Sequence, residues 1–178
     1  MNAEDGEEIT RGLTDKRRHD AELVTRILRD EGIDVVISSP YNRSILTVQK
    51  LAEQIGQEVI IFENLKERMF SAGKMRVSDK DLYMILNESF TDPHFRLPSA
   101  ESNHTSQKRA VNVLIDLLDI YKGRKLVIGT HGLVMTLMMS YFDKQYDMDF
   151  LLNTSKPDIY RMEFKSRDLV GVKRLWEE

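Results

Sequence analysis

The chain has 178 residues, 41% of them hydrophobic and 31% charged, which fits a single soluble domain large enough to bury a core. A formal net charge of −3 leaves no electrostatic footprint for nucleic acid, and no apolar run is long enough to span a bilayer. The lack of cysteine excludes disulfide bridges, thiolate metal ligands and cysteine nucleophiles. With no signal-peptide pattern, the expectation is a cytoplasmic protein with neither a membrane nor a nucleic-acid partner.

Residues 1–11 are polar, with Glu4, Asp5, Glu7 and Glu8 close together, and read as loop. Thr14 is placed to cap a helix whose Ala21, Val24, Ile27 and Leu28 recur at helical spacing, with Gly32 as its C′ residue. Val35, Val36 and Ile37 form a continuous apolar run, the pattern of a strand buried on both faces. Ser38-Ser39-Pro40 ends it, and Ser39 is placed to cap the next helix with Pro40 at its first position. Ile45, Val48, Leu51, Ala52 and Ile55 give that helix its inner face; Gly56 ends it, and 59–62 reads as another short strand. Helices alternating with apolar strands predict an α/β fold with a mainly parallel sheet and right-handed crossovers.

Residues 63–98 are less regular, with a helix predicted over 79–87 on Leu82, Ile85 and Leu86, and with Gly73, Pro93 and Pro98 as breakers. An excursion between a strand and a long helix is a usual place for substrate contacts, so 63–98 is the expected specificity insertion. Residues 102–121 form an amphipathic helix with Val111, Leu114, Ile115 and Leu118 facing inward. Leu126, Val127 and Ile128 make a third buried strand that stops at Gly129; Thr130, His131 and Gly132 follow, and an apolar helix runs over 133–142. Its Met135, Met138 and Met139 read as core filler. Residues 146–156 read as loop, and 159–164 and 170–176 as an antiparallel hairpin at a sheet edge.

Three polar residues fall just beyond predicted strand ends: Arg43, Glu67 and His131. In a parallel sheet these strand ends share one rim, where open α/β sheets bind ligands. The amino end of a helix beside His131 adds free N–H groups and positive partial charge, which suits an anion. Arg supplies a planar fork for phosphate, and Glu can carry a proton, so together the three suggest phosphoryl chemistry. Taken singly each has a plainer reading: His131 as a turn residue, Arg43 as a solvated helix residue, and Lys66-Glu67-Arg68 as a wet charge cluster. His19, His94 and His104 show no metal-ligand spacing and read as surface residues, so neither a metal nor a cofactor is expected.

Ser38-Ser39-Pro40-Tyr41-Asn42-Arg43, with Thr47 four residues on, resembles a signature of the histidine phosphatase superfamily, the phosphoglycerate mutase-like proteins. Leu65-Lys66-Glu67 is similar to the family's Leu-x-Glu segment, Gly129-Thr130-His131-Gly132 to its second histidine motif, and Gly12-Leu13-Thr14-Asp15-Lys16-Arg17 to the opening of its first helix, with Arg17 where Gly is usual. Glu101-Ser102 falls where members often carry that pair. The resemblance implies a three-layer α/β/α fold with an antiparallel C-terminal hairpin, in one domain over 1–178. It implies that Arg43 clamps phosphate, His131 ligates it, Glu67 is the general acid, and Gly132 and Leu133 offer backbone to it. The resemblance also implies that Asn2 corresponds to an asparagine that follows the family nucleophile. The implied ligand is a small phosphorylated substrate or inorganic phosphate, and the implied reaction is hydrolysis through phosphohistidine, with mutase-type transfer or non-catalytic phosphate binding as alternatives.

The chain departs from the family where it matters most: no Arg-His-Gly occurs in it. The expectation is a truncated form, inactive as it stands, in which the central first strand and its nucleophilic histidine are missing from the recorded sequence, with a true loss of that strand as the alternative. Either the hairpin 159–176 shifts in to pair with 126–128, or a second chain fills the gap as a homodimer.

Overall fold

The computed structural model describes residues 15–70 and 78–176. Thr14, Asn2 and the Gly12–Leu13 part of the first motif lie outside them. The elements run α1 (Asp15–Leu28), β1 (Val35–Ser38), α2 (Asn42–Gln54), β2 (Val59–Ile61), a 3₁₀ turn (Glu63–Leu65), α3 (Asp79–Thr91), α4 (Asn103–Ile120), β3 (Leu126–Gly129), α5 (Gly132–Phe142), α6 (Met148–Leu152), β4 (Tyr160–Lys165) and β5 (Asp168–Arg174).

β1 lies at the middle of a parallel sheet ordered β2-β1-β3, with Ile37 opposite both Ile60 and Ile128. Its four residues are all buried, as the continuous apolar run predicts. Val36 points to a cluster with Val24, Leu51 and Trp176 on the α1/α2 side, and Ile37 to one with Leu114, Leu117 and Val134 on the α4/α5 side. Helices therefore cover both faces, the three-layer arrangement. Burying Val36 and Ile37, both fully inaccessible, contributes about 1.5–3 kcal/mol each.

The helix ends follow the sequence where its chemistry is local. Gly32 and Gly56 lie at φ of 71° and 67°, the left-handed region where a Cβ is costly. Ser102 caps α4 by accepting the Thr105 N–H, and Ser78 caps α3 by accepting that of Asp81. Two expectations fail. Ser39 does not cap α2, which starts at Asn42 with Tyr41 as N-cap, because the Ser39 hydroxyl is engaged elsewhere. Residues 146–156 are not all loop, since Asp147 accepts the Phe150 N–H and caps α6.

The larger correction concerns the hairpin. β4 and β5 pair with each other, Met162 opposite Val172, in a sheet of their own. They have not shifted in to pair with β3. Phe164 packs on the α4/α5 cluster, and Ile159 and Leu175 on the α1/α2 cluster, so the hairpin continues the sheet layer between the same two helix layers. Between β3 and the hairpin lies a cavity of about 1480 Å³.

Gly129 has a steric role at the end of β3. A Cβ there would stand 3.0 Å from Ser44 Oγ, 3.2 Å from Ser38 Oγ and 3.2 Å from the Ser44 carbonyl oxygen. The Ser38 hydroxyl donates to Ser44 Oγ at 3.0 Å, so neither can move without breaking that buried bond. Gly129→Ala is expected to lower stability by about 1–3 kcal/mol, read as a drop in Tm.

Candidate phosphate site

The carboxyl ends of β1, β2 and β3 do share one rim, and the three residues meet there. His131 is the N-cap of α5 with extended backbone, 6% exposed. Arg43 Nη2 donates to its Nδ1 at 3.1 Å. A guanidinium has only donors, so Nδ1 accepts, the ring proton sits on Nε2, and Nε2 donates to Ser39 Oγ at 2.9 Å. Tyr41 meets the imidazole edge-on at 4.9 Å between centroids, and the Arg43 guanidinium lies 4.8 Å over the Tyr41 ring. Glu67 brings Oε2 to 3.8 Å from His131 Nδ1, with its side chain 25% exposed.

Burial, and then the positive charges of Arg43 and Arg109, push the His131 imidazole down to about 3. The ring is thus neutral at physiological pH, and its approach to Glu67 is not an ion pair there. The unfolded chain takes up this proton near the ordinary value of 6.5, whereas the folded chain resists it until about 3. Between those values the unfolded state binds more protons, so stability is fully present above about pH 6.5 and is lost as pH falls toward 3. Denaturant unfolding at pH 7.5 and 4.5 is expected to show this loss, and His131→Asn to flatten it.

A second cluster fixes the segment that carries Glu67. From α4, Arg109 Nη1 donates to the carbonyl oxygens of Asn64 and Lys66 at 2.7 and 2.8 Å, and Nη2 to that of Glu67 at 3.3 Å. Its Nε and Nη2 also grip both oxygens of Glu101 at 2.9 Å. Burial opposes ionisation of Glu101, but Arg109 and the Met69 N–H hold its carboxyl below the usual range. Thr130 Oγ1 donates to the Leu65 carbonyl at 2.9 Å, tying the end of β3 to the same segment.

Arg68 is not part of a wet charge cluster. It is 2% exposed, donates to the Glu101 carbonyl and to Asn103 Oδ1, and stacks on Phe70. Leu133 packs its side chain against Leu86 and Leu137, so only its backbone at the start of α5 can face a ligand. That helix start also carries Gly132, whose side has Leu151 and Thr154 close by. His19, His94 and His104 are exposed; His94 and His104 stack on each other at 4.4 Å. Among the described residues, no three His, Asp or Glu side chains are grouped to hold a metal.

Sequence reasoning missed Ser39, Tyr41 and Arg109. Ser39 beside Pro40 has a local use as a helix cap, which hides its bond to His131. Arg109 lies on a helix whose pattern speaks only of its apolar face, and nothing local marks it.

A model of the histidine phosphatase superfamily (branch 1) matches residues 6–173. A protein of Hydrogenobacter thermophilus named "Putative phosphoserine phosphatase 2" is 27% identical over 118 residues, 63% of this chain and 57% of its own length. The chain thus matches little more than half of that relative. Among solved structures, a mutant phosphoserine phosphatase from Entamoeba histolytica in complex with phosphoserine superposes with a TM-score of 0.74 at 21% identity, covering 89% of this chain and 81% of that one. YhfR of Bacillus stearothermophilus superposes at 0.73 with 20% identity, covering 90% and 83%. A mycobacterial glucosyl-3-phosphoglycerate phosphatase complexed with VO3 superposes at 0.68 with 16% identity, covering 82% and 76%. These likenesses share the parallel sheet and three-layer fold, and the family model spans nearly the whole chain: it belongs to the histidine phosphatase superfamily, branch 1.

Proposed function

We propose that the chain handles the phosphoryl group of a small phosphorylated metabolite, in a phosphatase reaction of the phosphohistidine type. The observation that carries the reading is the meeting of Arg43, Glu67 and Ser39 around the His131 imidazole at the start of α5. A charged fork, a polarisable imidazole and a helix amino end together favour an oxyanion, and the charge that develops in phosphoryl transfer. Glu67, partly exposed and outside those bonds to the ring, is placed to give its proton to the leaving oxygen as the phosphorus–oxygen bond breaks. The relatives' names, phosphoserine and glucosyl-3-phosphoglycerate phosphatases, agree with a small phosphate monoester as substrate. Residues 63–98, which include α3, are the proposed selector of that substrate.

The nucleophile is the missing part. The chain has four histidines. Three are exposed, and the fourth, His131, is committed to Ser39 and Arg43. The attacking imidazole is therefore proposed to come from outside the 178 residues, and the chain alone to be inactive. Phosphate release from p-nitrophenyl phosphate and phosphoserine should stay at background for this chain and rise in an upstream-extended form, and His131→Ala should remove it again. Transfer between hydroxyls of phosphoglycerate in the extended form would make it a mutase. Phosphate binding without turnover in either form would make it a phosphate-binding protein.

A further inference from the structure

The hydrogen bonds around His131 hold one donor too many. Arg43 Nη2 donates to Nδ1 at 3.1 Å, which leaves the ring proton on Nε2, donated to Ser39 Oγ at 2.9 Å. The same oxygen accepts the Tyr41 N–H at 3.4 Å. Ser39 is fully buried, and its hydroxyl carries a proton of its own. Of the two groups bonded to Oγ among the described residues, the Tyr41 N–H cannot accept that proton, and Nε2 is already protonated. A buried donor in excess costs free energy.

The two edges of the imidazole differ in access. His131, Arg43 and Glu67 line the cavity under the rim, and Glu67 Oε2 stands 3.8 Å from Nδ1. Ser39, behind the other edge, does not line it. An anion arriving there meets Nδ1. A phosphate monoester dianion offers acceptors only, so the lone pair on Nδ1 repels it. Once the anion takes the Arg43 N–H groups, a proton on Nδ1 would turn that repulsion into a hydrogen bond. Nε2 would then accept from the Ser39 hydroxyl, the Tyr41 N–H would stay on Oγ, and every donor would have an acceptor.

We propose that His131 changes tautomer when a phosphoryl group binds, from Nε2–H to Nδ1–H, and that Ser39 is the positioning residue for this switch, accepting from the ring before binding and donating to it afterwards. One N–H bond breaks at Nε2 and one forms at Nδ1. The protons exchange with water, the ring begins and ends neutral, and no net proton is taken up. An imidazolium would also give Nδ1 a proton, but burial and the charges of Arg43 and Arg109 oppose it. A hydroxyl suits the position because it both donates and accepts, whereas a carboxylate or carbonyl would fix the ring in one tautomer. The choice of ligand rests on the phosphatase reading; the donor count does not.

The test is NMR of the imidazole nitrogens in the 178-residue protein, titrated with methyl phosphate at about pH 8, where a monoester with a second pKa of about 6 is a dianion. A protonated ring nitrogen resonates far from one with a lone pair, so each tautomer is read directly. The proton is expected on Nε2 in the free protein and on Nδ1 at saturation. Calorimetric titration in buffers of different ionisation heat should show no proton uptake. Ser39→Ala should bind methyl phosphate about three- to tenfold more weakly, because Nε2 then lacks its donor in the bound state, and Ser39→Thr should restore most of the loss. The spectra of the native protein decide the matter even if either variant fails to fold. A proton that stays on Nε2 at saturation would overturn the proposal, and so would protonation of both nitrogens. Saturable binding with an unswitched ring sinks the tautomer change alone; an absence of any binding of methyl phosphate sinks the phosphatase reading along with it.

Discussion

Arg43→Ala is expected to weaken the binding of inorganic phosphate or orthovanadate by about 100-fold, measured by calorimetric titration at neutral pH. Arg43 is the cation in direct contact with the imidazole of His131, 3.1 Å from its Nδ1. A charge-assisted hydrogen bond to an anion contributes about 1.5–3 kcal/mol, and a loss near the upper end of that range is about 100-fold in affinity. Arg43→Lys keeps the charge and loses the planar fork, so it should fall between the two, about tenfold weaker than the native protein. Stability should change little, because Arg43 is only partly buried at the rim of the sheet. A second readout comes from His131 itself. Arg43 is one cause of its lowered titration, so in Arg43→Ala the imidazole should titrate at higher pH, which NMR of the ring protons would register. Unaltered phosphate affinity in Arg43→Ala would remove this residue from the site.

The largest loss of stability is expected from Arg109→Ala. The substitution strips partners from the carbonyl oxygens of Asn64, Lys66 and Glu67, and leaves the Glu101 carboxylate, 13% exposed, without its bidentate partner. Breaking a buried pair by removing one member costs about 3–5 kcal/mol, since the remaining charge is uncompensated. Arg109→Lys should recover only part, because one ammonium cannot reach three carbonyls and two carboxylate oxygens together. Arg109→Ala with Glu101→Gln should cost less than Arg109→Ala alone, because the orphaned charge is gone. Equilibrium unfolding in urea measures all three. A loss under about 1 kcal/mol for Arg109→Ala would mean that the segment bearing Glu67 is held by something other than this clamp.

The sheet was legible because its strands are short apolar runs. Residues 35–37, 59–61 and 126–128 have the length and composition of buried strands between amphipathic helices, and a parallel sheet places their carboxyl ends together. That rule brings Arg43, Glu67 and His131 to one rim, and the motifs around each of them resemble those of the family. Ser39 was misread because a serine before a proline has a local use as a cap, and the competing partner, His131, is 92 residues away. Arg109 and Arg68 were illegible for the same reason: the carbonyls that Arg109 holds and the partners of Arg68 lie 33 to 45 residues away, and surface charge is the ordinary reading of such residues. The hairpin was correct as a hairpin, since alternation is local. Its place was not, because where a two-stranded unit docks depends on what fills the layer beside it.

The most direct measurement of the central claim is a crystal structure of the protein with orthovanadate. The account predicts the anion at the rim of β1 and β3, with oxygens within hydrogen-bond distance of Arg43 and His131, and Glu67 alongside. An anion bound elsewhere, or an ordered rim left without one at saturating orthovanadate, would contradict it.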